Sequence, residues 1–318
     1  MLDLINIYMI NSLIINLIMI LFILLSLAFL TLLERKILGY IQIRKGPNKN
    51  MFLGLLQPIS DAMKLLSKEF FFMKNLNLMF YLISPILSMF LMLMMWLSLP
   101  FYYNLYYMNM NLLMFLCLLS MGVYMMMING WSSNSMYSML GCIRSVAQTI
   151  SYEVSLILII ISNLLLIENF MMIKLFSFQY YLNFFVYLYP IMIMFFISLI
   201  AELNRTPFDL SEGESELVSG FNTEYMSSMF TLIFMSEYGM IMLMSYLFIM
   251  FYFSSMLNSY IFYLKIMLMM IIIILIRGTL PRIRYDLLMM LIWKKFLSPI
   301  LNLLMYIYLM KLLTIYYY

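Results

Sequence analysis

The chain has 318 residues, 66% hydrophobic and 10% charged, against about 25% charged in ordinary globular domains; its mean hydropathy is +1.00. At roughly 20 apolar residues per crossing, this apolar mass fills about eight membrane spans, which excludes a soluble enzyme, a secreted disulfide scaffold and a disordered chain. The net charge is +4, histidine is absent, and Cys117 and Cys142 stand alone without CxxC spacing, so zinc, histidine-ligated haem, histidine-based catalysis and iron–sulfur clusters lack their usual ligands. The 39 Met, 26 Phe and 26 Tyr against 10 Gly and 8 Pro follow AT-rich codons. A small organellar genome is the plainest source, with an AT-rich bacterium as the alternative.

Apolar runs between polar interruptions predict an all-α polytopic membrane protein, a single transmembrane domain over 1–318 with helices at about 4–33, 78–99, 110–128, 146–167, 184–201, 225–253, 260–276 and 296–316. The first run has no basic residue before it, only Asp3 as an early charge, and no small-residue cleavage site before Glu34-Arg35-Lys36; it reads as an anchor that is retained. Between the first two spans, 54–68 is amphipathic. Leu55, Ile59, Ala62, Met63 and Leu66 share one face, and Gln57, Asp61, Lys64 and Lys68 the other, with Pro58 near the first turn, as expected of a helix lying in the membrane interface.

Eight spans place both termini on one side. The loops after the first, third, fifth and seventh spans then hold 15 of the 18 bases, leaving Lys174, Lys265 and Lys311 opposite. The positive-inside rule puts those loops in the matrix or cytoplasm. On that face, 34–74 carries eight bases against three acids, whereas 201–224 carries Glu202, Asp209, Glu212, Glu214, Glu216 and Glu224 against Arg205 alone. The two loops should attract each other, although Lys45, Lys49 and Lys74 also suit solvent or anionic lipid.

Three carboxylates stand out by depth. Glu153 falls about seven residues into its predicted span and Glu237 about twelve, roughly 10 and 18 Å at 1.5 Å per residue, and Glu202 ends the fifth span. An unpaired carboxylate at such depth costs at least about 2.5 kcal/mol, so it should face a polar cavity or be protonated. Arg144, Gln148, Thr149 and Ser151 make the start of the fourth span polar. The plainer alternative is neutralisation by a neighbouring helix. No lysine lies mid-span, unlike the expectation for antiporter-like proton subunits, so the pattern suits a proton relay or the wall of a binding cavity.

Gly54-Leu-Leu-Gln-Pro-Ile-Ser-Asp61-Ala-Met-Lys64-Leu-Leu-Ser-Lys-Glu69 and Pro207-Phe-Asp-Leu-Ser-Glu-Gly-Glu-Ser-Glu-Leu-Val-Ser-Gly220 resemble the two signatures of the subunit 1 family of NADH:ubiquinone oxidoreductase, respiratory complex I. The likeness extends through Glu34-Arg-Lys-Ile-Leu-Gly-Tyr, Gly130-Trp-Ser-Ser-Asn-Ser, Ala147-Gln-Thr-Ile-Ser-Tyr-Glu-Val, Ala201-Glu-Leu-Asn-Arg and Pro281-Arg-Ile-Arg-Tyr-Asp286, essentially the whole chain. The resemblance implies a core membrane subunit of a proton-translocating reductase, with ubiquinone as substrate and no metal, flavin, haem or iron–sulfur cluster of its own. It implies a quinone site from Arg35, Arg44, Asp61, Arg205, Phe208, Asp209, Glu212, Glu214, Glu216 and Phe221. Glu34, Lys64, Glu224, Arg277, Arg282 and Arg284 would be supporting charges, and Glu153, Glu202 and Glu237 a proton relay. Implied partners are iron–sulfur and quinone-module subunits on the matrix side, neighbouring membrane subunits and the lipid bilayer, without nucleic acid. The implied location is the mitochondrial inner membrane, with both termini on the intermembrane-space side. A secondary cation transporter, a purely structural anchor and the membrane subunit of a related hydrogenase-type complex are the alternatives.

Overall fold

A computed structural model describes residues 2–100, 109–211, 213, 220–256 and 259–317. Among them the chain is all helix, turn and loop. Seven helices are long and apolar enough to cross a membrane, and an eighth, Tyr189–Glu202, is apolar but has 14 residues. At 1.5 Å per residue that helix spans about 21 Å, short of a full hydrocarbon core of about 30 Å. The predicted span 184–201 is in fact broken at Leu188 (φ −116°, ψ 32°) between Phe184–Tyr187 and Tyr189–Glu202, because Pro190 has no N–H to continue a preceding helix and starts a new one.

The other boundaries differ for local physical reasons. The first helix, Leu2–Ile41, continues past the expected end at 33, since a polar residue that finds partners need not end a helix. Its 40 residues make about 60 Å, about twice a hydrocarbon core of about 30 Å, so it is longer than a span requires. Met136–Ile167 begins ten residues before the expected 146. Ser135 caps it, its Oγ accepting from the Ser138 amide at 3.4 Å while Ser138 Oγ accepts from the Ser135 amide at 3.3 Å, two orphan donors satisfied together. The last predicted span, 296–316, is the end of a helix over Tyr285–Thr314 with a π-helical stretch at Leu291–Phe296. The surface helix is Gln57–Leu66, and Leu55, Ile59, Met63 and Leu66 leave its apolar face open.

Ser227–Tyr252 is the central helix, with 67% of its most apolar stretch buried, while the first helix is peripheral at 17%. Ser227–Tyr252 packs on Leu78–Leu97 where Gly239 faces Met92; a Cβ there would stand 2.5 Å from Met92 Sδ. Asn111–Ser132 and Met136–Ile167 form an antiparallel pair whose approach depends on Gly130, where a Cβ would fall 2.2 Å from Cys142 Cβ. Small residues at crossings are how membrane helices gain close packing without a hydrophobic drive between them.

The short helix has a consequence for the site. After Glu202 the chain runs as loop with Leu203, Arg205, Phe208, Asp209, Leu210 and Ser211 buried. Loop backbone buried in protein needs partners for its N–H and C=O groups. Gln148 does so, its Nε2 donating to the carbonyls of Ala201 at 2.8 Å and Phe208 at 2.9 Å. The loop is tied down further by the Ile283 amide on the Pro207 carbonyl at 2.9 Å.

Candidate functional site

Four segments far apart in the chain converge on one carboxylate. Glu34, on the first helix, is 4% exposed. Its Oε1 accepts from Arg277 Nη1 and its Oε2 from the Tyr238 hydroxyl, and Arg205 Nη1 lies 3.6 Å from Oε1. The Arg205 guanidinium also sits over the Tyr238 ring, 4.6 Å from its centroid, a cation–π contact strengthened by the loss of water. Burial works against the Arg205 charge, but Tyr238, Glu34 and Glu237 outweigh it and hold its pKa above the ordinary value. The cation is therefore a fixed element of the site.

Behind Arg205 lies a cavity of about 110 Å³ whose wall includes Glu202, Asn204, Arg205, Ser211, Asn129 and Glu237. Ligand pockets run to about 300–1,000 Å³, whereas a water needs only about 10–15 Å³; the space fits several waters and not a quinone ring. Glu202 Oε2, Asn204 Oδ1 and Arg205 Nη2 are buried without a hydrogen-bond partner among the described residues, which is the condition under which ordered water is stabilising. Glu153 interacts electrostatically with Glu202. Arg205, Glu202 and Glu237 thus share one cavity wall, with Glu34 on the other side of Arg205.

A second tier is more exposed. Arg35 Nη1 meets Asp61 Oδ2 at 2.5 Å, with side chains 49% and 31% exposed, and Gln57 donates to Asp61 Oδ1 at 2.9 Å, joining the surface helix to the first helix. Arg282 Nη2 lies 3.2 Å from Asp209 Oδ2, pinning 277–285 against the buried loop.

Of the residues expected at the site, Glu34, Arg205 and Arg277 come together in the cluster, Glu202 and Glu237 line the cavity beside it, and Glu153 is tied to it through its electrostatic effect on Glu202. Arg35, Asp61, Asp209 and Arg282 form the tier around it. Phe221 lines the cavity, and Phe208 packs on Tyr152 with ring centroids 5.8 Å apart. Arg44, Lys64 and Arg284 are exposed and stand apart, and Glu224 contributes its carbonyl, which accepts from the Tyr81 hydroxyl at 2.9 Å. Glu212, Glu214 and Glu216 lie outside the described residues. Among those described, no three His, Cys, Asp or Glu side chains gather as a metal site. Sequence reasoning missed Tyr238 and Asn129. A tyrosine directly after a deep glutamate was the available signal, lost among 26 tyrosines.

A family model described as NADH dehydrogenase matches residues 14–308. The chain belongs to the NADH dehydrogenase family. All the charged residues of the cluster and its outer tier fall inside the matched range. Among similar proteins of this family, NADH-ubiquinone oxidoreductase chain 1 of Aedes aegypti is 52% identical over 291 residues, covering 92% of this chain and 93% of that protein. The chain 1 of Apis mellifera ligustica is 50% identical over 295 residues, covering 93% and 96%. That of the squid Heterololigo bleekeri is 45% identical over 297 residues, covering 89% and 92%.

Proposed function

We propose that this member of the NADH dehydrogenase family is a membrane subunit of NADH:ubiquinone oxidoreductase that forms part of the ubiquinone cavity and couples quinone reduction to proton movement. One observation supports this reading above the others: Glu34, Arg205 and Tyr238 form a desolvated charge cluster directly against a largely apolar cavity into which Glu202 and Glu237 face. Family membership favours a subunit over a free-standing transporter, which the charge pattern by itself left open. In this reading electrons arrive from partner subunits, iron–sulfur and quinone-module chains on the matrix face, with other membrane subunits alongside. The assembly sits in the mitochondrial inner membrane with the termini of this chain toward the intermembrane space.

The chemistry divides between two regions. A cavity of about 110 Å³ suits the proton step, so the quinone ring belongs on the outer side of the cluster. There Arg35 and Arg277, 49% and 35% exposed, are donors to oxygens that gain negative charge on reduction. The apolar tail would enter beside the open face of Gln57–Leu66. A unit charge appearing about 10 Å from a carboxylate at an effective dielectric near 20 contributes roughly 1.7 kcal/mol, more than tenfold in a protonation equilibrium. That field acts directly on the carboxylates while Arg205 holds a constant positive charge beside them, and Glu237, Glu202 and Glu153 respond by taking up or releasing protons through water in the cavity.

The test is proton uptake and quinone turnover in proteoliposomes carrying Glu202→Gln or Glu237→Gln at matched assembly levels. A tightly coupled cycle cannot finish its redox step without its proton step, so both rates should fall together. Wild-type values for both would reduce these glutamates to packing residues.

A further inference from the structure

At the ends of the bundle away from the charged cluster, Asn111–Ser132, Met136–Ile167 and Leu297–Tyr317 leave a crevice of about 660 Å³. That volume falls within the usual ligand range of about 300–1,000 Å³. Its wall is apolar, with Leu116, Ile161 and Leu312 prominent, and its polar rim is Glu168, Asn169 and Lys311. Water finds too few partners to fill such a space, and Leu113, Ile161 and Leu312 of its wall are exposed on the outside of the bundle.

The rim has a definite polarity. Lys311 Nζ contacts Glu168 Oε1 at 2.5 Å and donates to the Leu165 carbonyl; an ammonium has three donors, so one N–H is left. Asn169 Oδ1 accepts from the Met171 amide at 3.1 Å, which leaves its amide N–H groups as donors. Glu168 is 66% exposed and keeps acceptor capacity on Oε2. The carboxylate is also locally out of place. Glu168 ends Met136–Ile167 in the left-handed region at φ 56°, ψ 27°, where glycine or asparagine is the usual choice, and a negative charge opposes the helix dipole there. Helix formation does not account for a glutamate at this position.

We propose that this crevice binds one phospholipid with a zwitterionic, primary-amine headgroup, a phosphoethanolamine. An acyl chain fills the apolar wall, the phosphate accepts from Lys311 Nζ and Asn169 Nδ2, and the ammonium donates to Glu168. The rim is neutral overall and matches a headgroup that is neutral overall. An anionic headgroup would satisfy Lys311 but repel Glu168, and a choline headgroup has no N–H to offer Glu168.

The test uses the native membrane assembly purified with this chain and a photoactivatable phosphatidylethanolamine with its diazirine on the acyl chain. Adducts should map to peptides spanning 157–170 and 305–312. Unlabelled phosphatidylethanolamine should suppress them about tenfold more effectively than phosphatidylcholine or phosphatidylglycerol, the expected scale for losing one charged contact. Glu168→Gln should erase that headgroup preference. Should this variant fail to assemble, Ile161→Trp fills the crevice with the ion pair intact and should abolish the adducts. Equal competition by the three lipids, adducts that persist in Ile161→Trp, labelling no stronger than on the open Leu17 and Leu21 face of the first helix, or a neighbouring protein subunit cross-linked in the crevice would each overturn the proposal.

Discussion

Replacing Glu34 by Gln tests whether the charge cluster is held together from its centre. The Arg205 and Glu34 side chains are 11% and 6% exposed and 3.6 Å apart, which at an effective dielectric near 20 corresponds to an attraction of about 4–5 kcal/mol. Removing one partner of a buried pair costs about 3–5 kcal/mol in measured cases, the same range. Arg277, at 35% exposed, is screened and adds at most about 1 kcal/mol. Glu34→Gln therefore leaves Arg205 with the Tyr238 ring and Glu237, and Arg205→Met leaves Glu34 with the half-screened Arg277 and the Tyr238 hydroxyl, so each single variant loses part of the pair's attraction. Together they remove both charges, so the double variant should lose clearly less than the sum of the two. The measurement is the temperature of half-dissociation of the solubilised assembly for the wild type, both single variants and the double. Strict additivity, or single variants that match the wild type, would refute the claim that these two residues are energetically coupled.

Other expectations are independent of that cycle. Tyr238→Phe removes the hydroxyl that donates to Glu34, a charge-assisted bond of about 1.5–3 kcal/mol, and should lower ubiquinone reduction while NADH oxidation by an artificial acceptor upstream stays near normal; equal loss of both activities would indicate failed assembly. Gly130→Ala forces a methyl to within 2.2 Å of Cys142 Cβ and should cost about 1–3 kcal/mol or more, read as reduced assembly that Cys142→Gly restores. Cysteines introduced singly at 49 and 282 should be labelled by an impermeant thiol reagent from the side opposite a cysteine at 174; labelling of all three from one side would refute the expected topology.

The chain's polar interruptions marked most helices but misplaced their ends. Arg144 read as loop because it is charged, yet a serine capping box at Ser135 starts Met136–Ile167 well before it. Glu34 read as a span terminus because an isolated charge is costly in lipid. Its stabilising partners, Tyr238 and Arg277, lie 204 and 243 residues away, a distance that periodicity cannot bridge. Depth singled out Glu153 and Glu237, which the fold leaves half-buried within their helices, since no local pattern is needed to see a charge inside an apolar run. Which basic residues reach the cluster was not legible. Arg35, Arg44, Arg277 and Arg284 look alike in sequence, and only the fold separates the first and third, which contact carboxylates, from the other two.

The separation of Glu34 from Arg277 also sets an order of events during biosynthesis. The two residues are 243 apart, so at about 5–20 residues per second roughly 10–50 s of translation pass between them. Throughout that interval the nascent first helix carries a carboxylate whose last partner has not been made. Arg205 and Tyr238 emerge first and can engage the carboxylate before Tyr260–Thr279 brings Arg277 to it. Completion of the cluster therefore comes late in synthesis, after Arg205 and Tyr238 have already supplied partners for Glu34.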